Sequence, residues 1–231
     1  ISDARQRASQ LPSRSSTNSL EFQLVKMRTQ VEFARDNMAQ IKDLKKQQED
    51  SEKVVEPIEY GLACALLKSN KLPEALTHID QLIKDRPNRI TYIATKAEIL
   101  NKAGRYEDAL RLLEAGLQYN PENYVLSLYY GEALIAAGKP EKATKVLRDQ
   151  LNKHNSRPLL WSQLAEAYGK SGDRIGAYQA KAEALFLYGR TQKAIAQLKF
   201  ALPLANDQFQ VKARISERTA EMQLASQDLE L

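Results

Sequence analysis

A fixed step of 34 residues governs the middle of this chain. The alanines Ala75, Ala109, Ala143 and Ala177 keep it, and so do Ala63, Ala97, Gly131 and Ala165. Leu66, Leu100, Leu134 and Tyr168 form a third series, and the breaks at Pro87, Pro121 and Asn155 a fourth. Short turns recur with the same spacing: SNKLPEA at 69–75, AGRYEDA at 103–109, AGKPEKA at 137–143 and SGDRIGA at 171–177. Each unit therefore reads as two amphipathic helices joined by a turn. Ala or Gly stands where the helices touch, because only a small side chain lets two backbones approach closely. A unit this short cannot bury its apolar face alone, so successive units must stack.

Composition narrows the alternatives. Of the 231 residues, 43% are hydrophobic and 27% charged, a globular balance that argues against wholesale disorder. The 9 Gly and 8 Pro are too few for a loop-rich all-β fold. The net charge of +5 is spread among 34 basic and 29 acidic residues with no concentrated basic face, so nucleic-acid binding is not expected. The run KDLKKQQEDSEK is interrupted by Asp43, Glu49, Asp50 and Glu52 and reads as a solvated helix end. No apolar run approaches a membrane span of ~20 residues. The start ISDARQRASQ, without Met, suggests a fragment or a processed form and carries no visible signal peptide.

WSQLAEAY at 161–168, with Trp161, Leu164, Ala165 and Tyr168, followed by Ala177, resembles the tetratricopeptide-repeat signature. The other units are looser, with Glu59, Ile93 and Ser127 at the Trp position. The resemblance implies an all-α, right-handed superhelix of stacked antiparallel helix pairs. Repeats are expected at 56–89, 90–123, 124–157 and 158–191. GRTQKAIAQLKFAL at 189–202 looks like another second helix, yet Ala194 lies only 17 residues after Ala177. The helix near 174–188 is then expected to serve twice, in a half-overlapping fifth unit ending near 206. Residues 207–231 are expected to form a C-terminal capping helix and tail. On the N-terminal side, 1–11 reads as the end of a preceding domain and 12–19 as a Ser-rich linker. Residues 20–55 carry two non-repeat helices that cap the first unit.

Catalytic chemistry finds no support in the residues. The two histidines, His78 and His154, stand on different repeats, and there is no HExxH. Both read as packing or surface residues. The single cysteine, Cys64, excludes an internal disulfide and a multi-thiolate zinc site; it reads as a small apolar helix residue. No phosphate-cradling glycine loop is present.

A binding surface remains. In tetratricopeptide arrays the first helices line a groove that holds an extended peptide or another protein's helix. The family pattern places Tyr60, Cys64, Leu67 and Lys68 there from the first repeat, and Ala94, Glu98, Asn101 and Lys102 from the second. The third contributes Leu128, Glu132 and Ile135, and the fourth Ser162, Glu166 and Lys170. Two ladders follow the period: Glu98, Glu132, Glu166, and Lys68, Lys102, Lys170, with Ala136 as the gap. Two readings of the ladders stand side by side. They are solvated i,i+4 pairs worth ~0.2–0.5 kcal/mol each, or they belong to a specific groove. The mixed charge lacks an all-basic clamp for a C-terminal carboxylate and suits a partly apolar polypeptide.

ISDARQRASQ also looks like the helix that ends the catalytic domain in a family of bacterial periplasmic zinc metallopeptidases, the β-barrel assembly-enhancing family. The order of two N-terminal helices, four repeats, a shared helix and YGRTQKAIAQL resembles that family's C-terminal domain. The resemblance implies a non-catalytic, cofactor-free module. Zinc would sit in a separate protease domain. The implied partners are the outer-membrane barrel assembly machinery, immature barrel proteins and the module's own protease domain, in the periplasm. The alternative is a generic tetratricopeptide scaffold in another envelope or secretion complex.

Overall fold

The computed structural model describes residues 19–51 and 55–227. The expected end of a preceding domain at 1–11, all of the 12–19 linker except Ser19, and the tail beyond 227 lie outside them. The described residues form twelve α-helices and one short 3₁₀ segment, with no strand among them. Two compact units divide at Thr95 and Lys96.

In the first unit, α1 (Leu20–Glu32) and α2 (Asn37–Glu49) precede the repeats. Each starts on a side-chain cap, a position that needs an acceptor for the orphan helix amides. Ser19 Oγ accepts from the Phe22 amide, and Asp36 Oδ1 from the amides of Met38 and Ala39. The helices α3 (Glu56–Lys68) and α4 (Leu72–Asp85) form the first pair. On α4 the buried residues Ala75, Ile79 and Leu82 mark one stripe. On α3 every residue from Glu59 to Leu67 is buried, because α1 and α2 both pack on it as well as α4. A Cβ on Gly61 would meet Met27 Cγ of α1 at 2.6 Å.

Helix α5 (Ile90–Lys102) straddles the division. The second unit continues with α6 (Tyr106–Tyr119), α7 (Tyr124–Ala136), α8 (Pro140–Leu151), α9 (Pro158–Ser171) and α10 (Arg174–Leu187). It ends with α11 (Thr191–Ala201), the 3₁₀ segment Leu202–Ala205 and α12 (Phe209–Gln227). From α6 onward each helix packs on its successor in antiparallel pairs. Leu113, Leu134 and Leu147 are at most 2% exposed, and each such burial contributes about 1.5–3 kcal/mol.

The turn inside each pair has one geometry. Asn70, Gly104, Gly138 and Gly172 all have positive φ, from 58° to 85°, and stand at the 34-residue step. The next amide reaches back over the turn: Lys71 to the Leu66 carbonyl, Arg105 to Leu100, Lys139 to Leu134 and Asp173 to Tyr168, all at 2.8–2.9 Å. This left-handed closure ties off the last carbonyls of the first helix, and glycine enters it without a Cβ penalty. The same turn appears once more at Gly189, φ 71°, with Arg190 N bonded to the Leu185 carbonyl at 2.9 Å. That is 17 residues after Gly172, half a step early. Helix α10 therefore ends as a first helix ends, although it is also the partner of α9.

Candidate protein-binding surface

The expected groove positions fall into three groups. Tyr60, Cys64, Leu67, Ala94, Asn101 and Ile135 are at most 8% exposed, and so offer little to a ligand. Lys68 is half-buried, and its ammonium donates to the carbonyls of Val31, Glu32 and Ala34 at 2.9, 2.6 and 3.2 Å. The third group, Glu98, Lys102, Leu128, Glu132, Ser162, Glu166 and Lys170, keeps partial or full exposure.

The first repeat departs from the family pattern for a physical reason. Its own chain covers the positions that the pattern leaves open. Arg28 of α1 donates to Tyr60 Oη at 3.5 Å and to Thr95 Oγ1 at 3.2 Å, and the two hydroxyls are 3.1 Å apart. Burial, with Cys64 nearby, pushes the Tyr60 hydroxyl up to about 12, against the opposing pull of Arg28. Lys68 caps the end of α1 instead of reaching for a partner. A cation at the C-terminal end of a helix is also favoured by the helix dipole. The two histidines pack as expected. His78 Nδ1 lies 2.6 Å from Oε1 of buried Glu59, and the His154 ring is 6.4 Å from that of Tyr124. Among the described residues no group of three His, Cys, Asp or Glu converges to hold a metal ion.

In the second unit the three glutamates of the expected ladder lie near enough to act on one another. Glu98 on α5, Glu132 on α7 and Glu166 on α9 stand one repeat apart on successive first helices. Tyr129 donates its hydroxyl to Glu98 Oε2 at 3.0 Å. The Glu132 carboxyl is held above the ordinary glutamate range, by desolvation first and then by repulsion from Glu98 and Glu166. Glu166 and Lys170 both reach solvent. A line of carboxylates beside Leu128 can attract the basic side chains of a polypeptide.

Sequence reasoning missed a cleft at the far end of this face. It has a volume of about 500 Å³ and is lined mainly by apolar side chains between α9 and α10, including Ala165, Ala177, Tyr178, Leu185 and Tyr188. Lys181 and Arg190 stand at its rim, and Glu166 borders it from the ladder. The broken spacing at Ala194 was the only signal for it. The clamp between α10 and α12 was missed too: Arg218 is paired with Glu183 across 35 residues, a separation that follows no repeat rule.

Paired helices, a shared left-handed turn and small residues at the helix contacts define a tetratricopeptide-repeat array. The tetratricopeptide-repeat family model matches residues 100–167. The chain is 26% identical over 202 residues to the β-barrel assembly-enhancing protease of Yersinia pestis, covering 87% of this chain and 42% of that protein. It is 26% identical over 204 residues to the protein of the same name from Escherichia coli strain K12, with coverage of 87% and 41%. The chain thus spans well under half the length of these relatives. Among solved structures, MamA from Desulfovibrio magneticus RS-1 has a TM-score of 0.56 at 18% identity, covering 74% of this chain and 96% of that one. A thermophilic tetratricopeptide-repeat protein of Thermus thermophilus has a TM-score of 0.55 at 20% identity, with coverage of 84% and 96%. These two likenesses establish the fold.

Proposed function

We propose that this chain is the protein-binding module of a zinc-dependent protease of the barrel assembly-enhancing kind. In this reading it binds outer-membrane barrel assembly components and immature barrel proteins and presents them to a catalytic domain in the periplasm. The similarity to the protease relatives over 87% of the chain carries this reading. That similarity extends well beyond residues 100–167, which a shared repeat alone would account for. In this reading catalysis belongs to a separate domain and binding to this one. No described helix is long and apolar enough to cross a membrane. The preformed first-helix face lowers the ordering cost of capture.

Photocrosslinking in the native cell tests this. A photoreactive residue replaces Glu98, Glu132 or Ser162 in the full-length protein, and adducts are identified by mass spectrometry. Adducts to barrel-assembly components or to immature barrel proteins are expected. Adducts solely to unrelated proteins would overturn the reading and leave a scaffold in another assembly.

A further inference from the structure

The array carries an unfilled helix position at its C-terminal end. In the third repeat, Gly131 of α7 and Ala143 of α8 are buried. The following first helix, α9, packs on both α7 and α8, and a Cβ on Gly131 would lie 3.2 Å from its Gln163 Oε1. One step further on, Ala165 and Ala177 hold the same two places, yet both remain partly open. Among the described residues no following first helix lies over them. After Arg190 the chain enters α11 half a step early, and α11 packs on α10 and α12. The cleft of about 500 Å³ is the space left behind.

The charges around this space are ordered. Glu166 borders one side and continues the ladder through Glu132 and Glu98. Lys181 and Arg190 mark the other side, both exposed and without an ion pair among the described residues. A first helix of the array's own type would bring a further glutamate to the ladder, as Glu98, Glu132 and Glu166 do at each step. It would meet the same repulsion that raises the Glu132 carboxyl. The first helices that carry the ladder, α5, α7 and α9, are therefore poor occupants. Helix α3, with Cys64 at the ladder position, is already covered by α1, α2 and α4. A second copy of this chain thus offers no suitable first helix among its described residues.

We propose that the cleft receives an amphipathic α-helix from a partner polypeptide, docked as the next first helix of the stack. Its apolar face lies on Ala165, Ala177, Tyr178 and Leu185. A Lys or Arg faces Glu166, and a carboxylate on the opposite flank faces Lys181 and Arg190. Helix-in-groove recognition uses one apolar face and leaves the flanks to set orientation and partner choice. This rests on the protein-binding reading above and deepens it by naming the ligand class and the subsite.

The test uses the whole chain and a defined probe. The probe is a fluorescent peptide of residues 158–171 carrying Glu166→Lys and Gln163→Glu, held helical by an i,i+4 staple on its exposed face. Gln163 lies beside Gly131 and Leu147, the equivalents of Ala165 and Lys181 one step earlier, so its replacement supplies the acidic flank. Fluorescence anisotropy is expected to show saturable binding, at least tenfold tighter than for the same peptide with Glu166 retained. Ala165→Leu in the chain fills the open space and is expected to weaken binding at least tenfold. Because Ala165 also faces α10, its circular dichroism melt is recorded beside it, and the test of folding-independent binding falls to the next variant. Lys181→Glu, at an exposed side chain, supplies a second variant that is expected to fold normally and to weaken binding of a probe bearing an acidic flank. Absence of saturable binding, or binding indifferent to both chain variants, overturns the inference. Barrel-component crosslinks in the cell without probe binding would leave the broader function standing and remove only this subsite. Probe binding without such crosslinks would do the reverse.

Discussion

Arg218 and Glu183 meet fork to fork. Nε donates to Oε1 and Nη2 to Oε2, both at 2.7 Å, while Nη1 reaches Glu221 at 2.7 Å and the guanidinium lies 5.1 Å from the Phe186 ring centre. The pair ties α12 to α10 over a small core of Ala182, Ile195, Leu198, Ile215 and Met222. Planar, bidentate pairing is a property of arginine and not of lysine. Arg218→Lys is expected to cost about 1–2 kcal/mol. Amide exchange should accelerate in α12 ahead of α7 and α8. Uniform acceleration through the second unit would contradict this division.

Gly131 is a packing glycine, whereas Gly104 is a conformational one. A Cβ on Gly131 would stand 2.9 Å from Leu147 Cδ2, in addition to its contact with Gln163. At Gly104 the added Cβ meets nothing within 4 Å, but φ is +71°. Gly131→Val is therefore expected to lose about 1–3 kcal/mol through overpacking. Gly104→Ala should lose about 1–2 kcal/mol through backbone strain. Urea midpoints measure both. Replacing Leu147 by Ala should lessen the added penalty of the Gly131 variant and leave that of the Gly104 variant unchanged.

Lys68→Met removes the cation from three carbonyls while keeping much of the side-chain volume. The last turn of α1, ending at Glu32, then loses its cap, at an expected cost of about 1–2 kcal/mol. Hydrogen exchange should rise first at the amides near residues 31–34. If partner binding fell instead while the exchange pattern stayed unchanged, Lys68 would be a groove residue after all.

Glu132 makes the stability of the second unit pH-dependent in a definite sense. Its folded carboxyl titrates above the ordinary glutamate value of 4.5. The folded state therefore holds its proton more tightly than the unfolded chain. This contribution is fully present below 4.5 and is lost as the pH rises through the raised value. At neutral pH the ionised Glu132 opposes folding. Glu132→Gln is expected to raise the urea midpoint at about pH 7 and to make no difference at about pH 3. An equal effect at both pH values would show that the ladder carboxylates do not interact.

The period and the helix pairing were legible because they rest on size and spacing. Ala109 and Ala143 must be small wherever two helices cross, and Gly104 and Gly138 must permit a left-handed turn. The state of each groove residue was less legible. Cys64 and Leu67 occupy the family's open positions, but they are buried on a helix that α1, α2 and α4 all pack against, and nothing in the repeat says where a preceding helix will lie. The Lys ladder misled for the same reason: Lys68 shares the spacing of Lys102 and Lys170, yet it serves α1. The cleft at Ala165 and Ala177 arises from a helix that is out of step, which a pattern of matching residues cannot show directly.

The early turn at Gly189 acts as a length gauge. Every preceding turn of its kind hands the chain on in phase, so units could be added or removed there without changing the partners of their neighbours. At Gly189 the phase shifts by half a unit, and the C-terminal helices close on α10. A repeat continuing from α12 would start half a step out of phase with the open face on α9 and α10. The phase of the C-terminal helices is thus set by where one glycine falls.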